Sequence, residues 1–171
     1  IILLAFRLLL CKVIRIIIKT IKIMNYSQYD IVFQEVPDEI TLAFTITGCK
    51  IACKGCHSPH TWNPKNGNKL TTIELSRIIE KYNPHITCVL FFGGEWEEEN
   101  LIELLEKTHQ YNLKTCLYTG RENISDAISN HLDYLKTGEW KSELGPLQSP
   151  TTNQKFYDIN ASRDITGLFW K

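Results

Sequence analysis

Three cysteines, Cys49, Cys53 and Cys56, stand at C-x3-C-x2-C spacing within Thr47-Gly-Cys-Lys-Ile-Ala-Cys-Lys-Gly-Cys-His-Ser-Pro-His-Thr-Trp62. Thiolates this close in the chain cannot all enter a core. A short loop can turn several of them toward one metal centre, and clustered thiolates favour zinc or iron–sulfur. A closed structural zinc site takes four protein ligands. A four-iron cluster held by three cysteines keeps one iron open to another ligand. The zinc reading recruits His57 or His60 as the fourth ligand, and on the residues alone both readings stay open.

The elements around this loop predict how it is held. Thr41–Thr47 is rich in β-branched and aromatic residues and reads as a strand ended by Gly48. After the Asn63-Pro-Lys-Asn-Gly67 turn, Thr71 or Thr72 caps a helix with Leu75, Ile78, Ile79 and Tyr82 on one face, stopped by Pro84. Ile86–Phe92 is a continuous apolar run, the pattern of a strand covered on both faces. Gly93-Gly94 ends it. Glu95–Asn100 then opens a helix with negative charge at its positive end, and Leu101, Ile102, Leu104 and Leu105 form its apolar face. Leu113–Tyr118 reads as a third strand ended by Thr119-Gly120, Glu122–Asn130 as a short helix, and Leu132–Lys136 as a fourth strand ended at Gly138. Glu139–Thr152 reads as a long loop and Gln154–Ile159 as a last strand, whereas Tyr26–Glu39 is expected to wrap an edge before the core begins.

Alternating strands and helices imply parallel βαβ units with right-handed crossovers. There are too few for a closed eight-stranded barrel. The expected fold class is therefore α/β, with an open, partial parallel β/α barrel. Ligands of open α/β folds sit at the carboxyl ends of the strands. The cysteine loop, Gly93-Gly94-Glu95 and Thr119-Gly120 all follow strands and so converge on one face.

The C-x3-C-x2-C motif after the first strand resembles that of the radical S-adenosylmethionine enzymes. The wider set Met24-Asn-Tyr-Ser-Gln-Tyr29, Thr47-Gly-Cys49, Cys53-Lys-Gly-Cys56 and Thr61-Trp-Asn63 resembles a narrower group, the activating proteins of anaerobic ribonucleoside-triphosphate reductase. That resemblance runs from about Met24 to about Asn160. It implies a 4Fe–4S cluster on Cys49, Cys53 and Cys56 and S-adenosylmethionine chelating the open iron through its amino and carboxylate groups. One electron from the reduced cluster would cleave a carbon–sulfur bond, giving methionine and a 5′-deoxyadenosyl radical. The resemblance further places the methionine group at Gly93, Gly94 and Glu95, with Trp96 where relatives carry proline. It places the adenine along Gly55, Cys56 and the ring of His57, and the nucleoside near Tyr118 and Thr119. Thr151-Thr-Asn-Gln154 resembles a polar segment near the end of the reductase activators; its plain reading is a solvated loop.

The expected reaction is oxidoreductase chemistry that places a radical on a backbone glycine of a large partner, the anaerobic reductase. A flavodoxin or ferredoxin would donate the electron. The short chain leaves little material for an elaborate small-substrate pocket. The rivals are activation of another glycyl-radical enzyme, of the pyruvate formate-lyase type, and a zinc-stabilised binding module without catalysis.

Composition sets the frame. The chain has 171 residues, 43% hydrophobic and 22% charged, which suits one globular domain. Residues 1–23 hold five of the 19 basic residues and no acid, so the remainder carries 14 basic against 19 acidic groups. An acidic body gives no support to nucleic-acid binding. Residues 1–23 are too interrupted by charge for a membrane span and lack a cleavage site for a signal peptide. They read as a non-native upstream extension or an interfacial amphipathic helix, and Met24, the single methionine, as the start of one domain, 24–171. Clustered cysteines without a secretory signal point to a reducing, cytoplasmic setting. Cys11, Cys88 and Cys116 read as buried small hydrophobes.

Overall fold

The computed structural model describes residues 24–170. The expectations for residues 1–23, including Cys11, lie outside these. Eight strands form one open sheet: β1 (Asn25–Val32), β2 (Thr41–Ile46), β3 (Asn68–Lys69), β4 (Cys88–Phe92), β5 (Lys114–Tyr118), β6 (Tyr134–Thr137), β7 (Lys155–Asp158) and β8 (Arg163–Asp164). Their order is β3-β1-β2-β4-β5-β6-β7-β8. The centre, β2-β4-β5-β6, is parallel, and the strands outside it pair antiparallel. The four expected central strands are thus parallel neighbours, and the last expected strand pairs antiparallel.

Three helices cross between the parallel strands: α1 (Thr72–Tyr82), α2 (Glu98–His109) and α3 (Asp126–Ser129). The Thr71 hydroxyl accepts from the Glu74 N–H at the start of α1, which satisfies one of the donors a helix start leaves free. Alternate strand residues, including Phe44, Val89, Phe91 and Leu117, meet the helices' Leu75, Ile78, Leu101, Leu104 and Leu105 in one buried layer. The other sheet face carries Ala43, Cys88, Leu90 and Cys116. Phe156 of β7 joins this face, and Val36, Leu147 and Phe169 cover it from outside the strands. Burial on both faces explains the unbroken apolar run of β4. Cys88 and Cys116 are fully buried, and burial pushes both thiols well above their ordinary value.

Two expectations change. Tyr26–Glu39 does not simply wrap an edge: its first half is β1, sandwiched between β3 and β2. The register slips between Tyr26 and Gln28, so Tyr26 and Tyr29 both reach the helix-side core although their spacing is odd. An extra residue in one strand breaks the alternation that sequence reading relies on. The helix expected over Glu122–Asn130 shrinks to Asp126–Ser129, because the Ser125 hydroxyl caps Ile128 and fixes the start there.

Candidate functional site

The exits of β2, β4, β5 and β6 lie side by side, and hydrogen bonds lace them together. The Gly93 N–H donates to the Tyr118 carbonyl at 2.8 Å, and the Thr119 N–H donates to the Lys136 carbonyl at 2.8 Å. Above these exits is a cavity of about 370 Å³ whose lining includes Cys49, Gly93, Glu95, Trp96, Tyr118, Thr119 and Gly120. Residues from three separate strand ends thus meet, as the topology requires.

The cysteine loop is tied down at its start. The N–H groups of Gly48 and Cys49 both donate to the Thr61 carbonyl, at 2.6 and 3.2 Å. Thr61 belongs to the short 3-10 turn Pro59–Thr61 and is itself buried. Further along, the Cys56 N–H donates to the Cys53 carbonyl at 3.1 Å, and the Ser58 N–H points to Cys56 Sγ at 3.4 Å. All three thiols are free and partly exposed. A backbone N–H aimed at a sulfur is what stabilises a thiolate ligand.

Among the described residues, no three His, Cys, Asp or Glu side chains stand close enough to share one ion. One tetrahedral zinc would need its sulfurs about 3.8 Å apart. A four-iron cluster places each cysteine on a different iron and so spreads the three sulfurs. Three free, partly exposed thiols on one anchored loop fit the cluster.

Glu95 is the most constrained polar group. It is 6% exposed and lines the cavity. Its Oε1 accepts from the Thr119 hydroxyl at 2.8 Å and stands 3.4 Å from Arg121 Nε, while Oε2 is buried without a partner. Burial pushes the carboxyl above its ordinary value, against the Thr119 hydrogen bond and the Arg121 charge. A buried carboxylate oxygen without a donor is costly. As the acidic residue of the cavity lining, Glu95 fits the amino group of S-adenosylmethionine. Nearby, Lys136 is buried, donates to the Gly138 carbonyl at 2.9 Å, and interacts electrostatically with Cys53. Burial lowers its pKa to about 8.

Of the site residues expected from sequence, Cys49, Gly93, Glu95, Tyr118 and Thr119 share this cavity. The Tyr118 hydroxyl is engaged with the Glu35 carbonyl, and its ring packs edge-on to Phe92. Gly94 turns the other way: a Cβ there would lie 3.0 Å from Met24 Sδ and 3.6 Å from Leu101 Cδ1, on the core side. Gly55, Cys56 and His57 are outside the lining. The His57 ring instead lies 4.7 Å from that of Trp140. Thr151–Gln154 folds against the exit of β6, where the Asn153 amide donates to the Glu139 carbonyl and Gln154 is buried.

Sequence reasoning did not single out Lys136, although a charge inside an apolar strand was its signal. Thr61 entered only within the Thr61–Asn63 resemblance, and its backbone carbonyl role left no side-chain signal. Among the described residues no helix is long and apolar enough to cross a membrane.

One relative, the pyruvate formate-lyase-activating enzyme of Clostridium pasteurianum, is 33% identical over 78 residues, 42% of this chain and 33% of the relative. The chain therefore spans about a third of that relative's length. A family model described as a 4Fe-4S single cluster domain matches residues 40–155. This stretch holds the three cysteines and every strand exit described above. Together the two likenesses support a 4Fe–4S cluster and S-adenosylmethionine as cofactors. Because the matched stretch is well over half of the chain, the protein belongs to the 4Fe-4S single cluster domain family.

Proposed function

We propose that this chain is a radical S-adenosylmethionine activase that installs a glycyl radical on a larger partner enzyme. The observation that carries the reading is the cavity whose lining holds both Cys49 and the acidic Glu95. It offers a cluster ligand and an ammonium acceptor within the span of one small molecule. When bound, the cluster and S-adenosylmethionine supply the radical that takes a hydrogen atom from glycine. The chain's own residues bind and orient. Cys49, Cys53 and Cys56 hold the cluster, Glu95 takes the methionine ammonium, Thr119 and Arg121 steady Glu95, and the Phe92 and Tyr118 rings exclude water. Gly55, Cys56 and His57 are assigned to the adenine, as the motif resemblance has it, and Gly93 and Gly94 to the backbone turn beside the methionine group. The central strands with helices on one face support an open, partial β/α barrel as the scaffold.

We take anaerobic ribonucleoside-triphosphate reductase as the target, on the Met24–Tyr29, Cys49–Cys56 and Thr61–Asn63 segments. The Clostridium pasteurianum relative favours a second target, pyruvate formate-lyase. A flavodoxin or ferredoxin in the cytoplasm would donate the electron. Anaerobic reconstitution with iron and sulfide, reduction, and addition of S-adenosylmethionine with each candidate partner tests this. A glycyl-radical signal in one partner alone names the target. A colourless protein that retains one zinc and no iron would reduce the chain to a binding module.

A further inference from the structure

Trp96 does more than stand where relatives carry proline. Its indole reaches between the ends of two different strands. A Cβ on Gly48, at the exit of β2, would lie 2.9 Å from Trp96 Nε1. A Cβ on Gly93, at the exit of β4, would lie 2.5 Å from Cη2 and 2.9 Å from Cζ3 of the same ring. Both distances are below any real carbon contact, so the ring occupies the volume that two side chains would otherwise fill. Gly48 is held on its other side as well, with Pro64 Cβ 3.2 Å from the same Cβ position and its N–H on the Thr61 carbonyl. The indole lines the cavity together with Cys49, the neighbour of Gly48, and Glu95, its own neighbour.

A rigid, two-ring side chain wedged between two bare backbones sets the distance between them. We propose that Trp96 is a positioning residue, a spacer that fixes Cys49 relative to the Gly93–Glu95 turn. With S-adenosylmethionine as the cofactor, as in the functional reading above, one molecule must reach both the cluster on Cys49 and the Glu95 carboxylate. The spacer makes that reach the same in every molecule of the protein. It acts through Gly48 and Gly93.

The test compares wild type, Trp96→Ala and Trp96→Phe after anaerobic reconstitution, with three readouts: iron per chain, melting midpoint, and titration of S-adenosylmethionine followed by the electron paramagnetic resonance signal of the reduced cluster. Trp96→Ala keeps its iron, because no thiolate is removed, and binds S-adenosylmethionine about tenfold or more weakly, as expected of a misplaced pair of contacts. Trp96→Phe, whose single ring spans only part of the gap between the two glycines, binds more tightly than Trp96→Ala and more weakly than wild type. A Trp96→Ala protein that titrates like wild type overturns the proposal, however far its melting midpoint falls, and leaves the indole a packing residue. If Trp96→Ala does not fold, Trp96→Leu takes its place, with the same two outcomes. A wild-type cluster whose signal ignores S-adenosylmethionine overturns the cofactor reading itself, and the spacer with it.

Discussion

Glu95 carries the clearest conflict between stability and function at the scale of single residues. Its carboxyl is raised by burial. A carboxyl raised on folding favours the folded state while protonated, and that favour is lost as pH rises through its folded pKa. Glu95→Gln should therefore melt higher than wild type at neutral pH, by about 2–4 °C for each kcal/mol relieved. The gain should vanish below about pH 4, where both side chains are neutral. The same variant should bind S-adenosylmethionine less tightly, since the amide cannot pair with an ammonium. Melting curves across pH and one binding titration check both halves. The cysteines divide as cleanly. Replacing Cys49, Cys53 or Cys56 by alanine should abolish cluster assembly, read as iron per chain and visible absorbance. Cys88→Ala and Cys116→Ala should keep the iron and instead lose about 1–2 kcal/mol of stability, because both thiols sit in the closed core between sheet and covering loops. Full iron in a Cys53→Ala protein would show the ligand set to be wrong.

The turn after β4 separates two roles at the scale of elements. Gly93 and Gly94 both hold positive φ, 88° and 114°. Their open sides face different neighbours: Gly93 meets the Trp96 indole, and Gly94 meets the Met24 thioether and Leu101. Gly94→Ala should accordingly lower the melting midpoint of the cluster-free protein, at a cost of about 1 kcal/mol or more. The loss should be larger than that expected from φ alone, because the Met24 side chain must move. An unchanged midpoint with weakened cofactor binding would mean that the glycine is kept for the ligand. The opposite end of the sheet is fastened by Asp133, whose carboxylate accepts from the Thr115 N–H at 2.8 Å and from the Asn160 amide at 2.8 Å, with the His109 ring at 3.3 Å. Burial raises that carboxyl, and these hydrogen bonds outweigh it to hold the group below the ordinary aspartate range. The site end and this fastened end are therefore held by different means, backbone laces above and a carboxylate hub below.

Taken whole, residues 24–170 enclose both faces of the sheet, and the Met24 side chain is 2% exposed in the helix-side core. A chain shortened to begin at Met24 should hold its melting midpoint and, if the cofactor reading is right, its cluster. Side-by-side melting and iron analysis of the two lengths checks this. A fall in the midpoint would show that residues 1–23 contribute to the fold. By itself the sequence determined the cysteine loop at a strand exit, the four parallel strands and the side of the sheet on which their exits meet. Each of these is written in local terms: ligand spacing, continuous apolar runs, and glycines after strands. The strand β1 was illegible because a register slip breaks its alternation, and the start of the short helix α3 was misplaced because Ser125 caps it. Only the tertiary structure decided which residues stand together above the exits. It turned Gly94 to the core, left Glu95 Oε2 buried without a donor, buried Lys136 where it interacts electrostatically with Cys53, and slid the Trp96 ring between Gly48 and Gly93. Such contacts join residues tens of positions apart. They depend on volume and direction in space, which no spacing along the chain encodes.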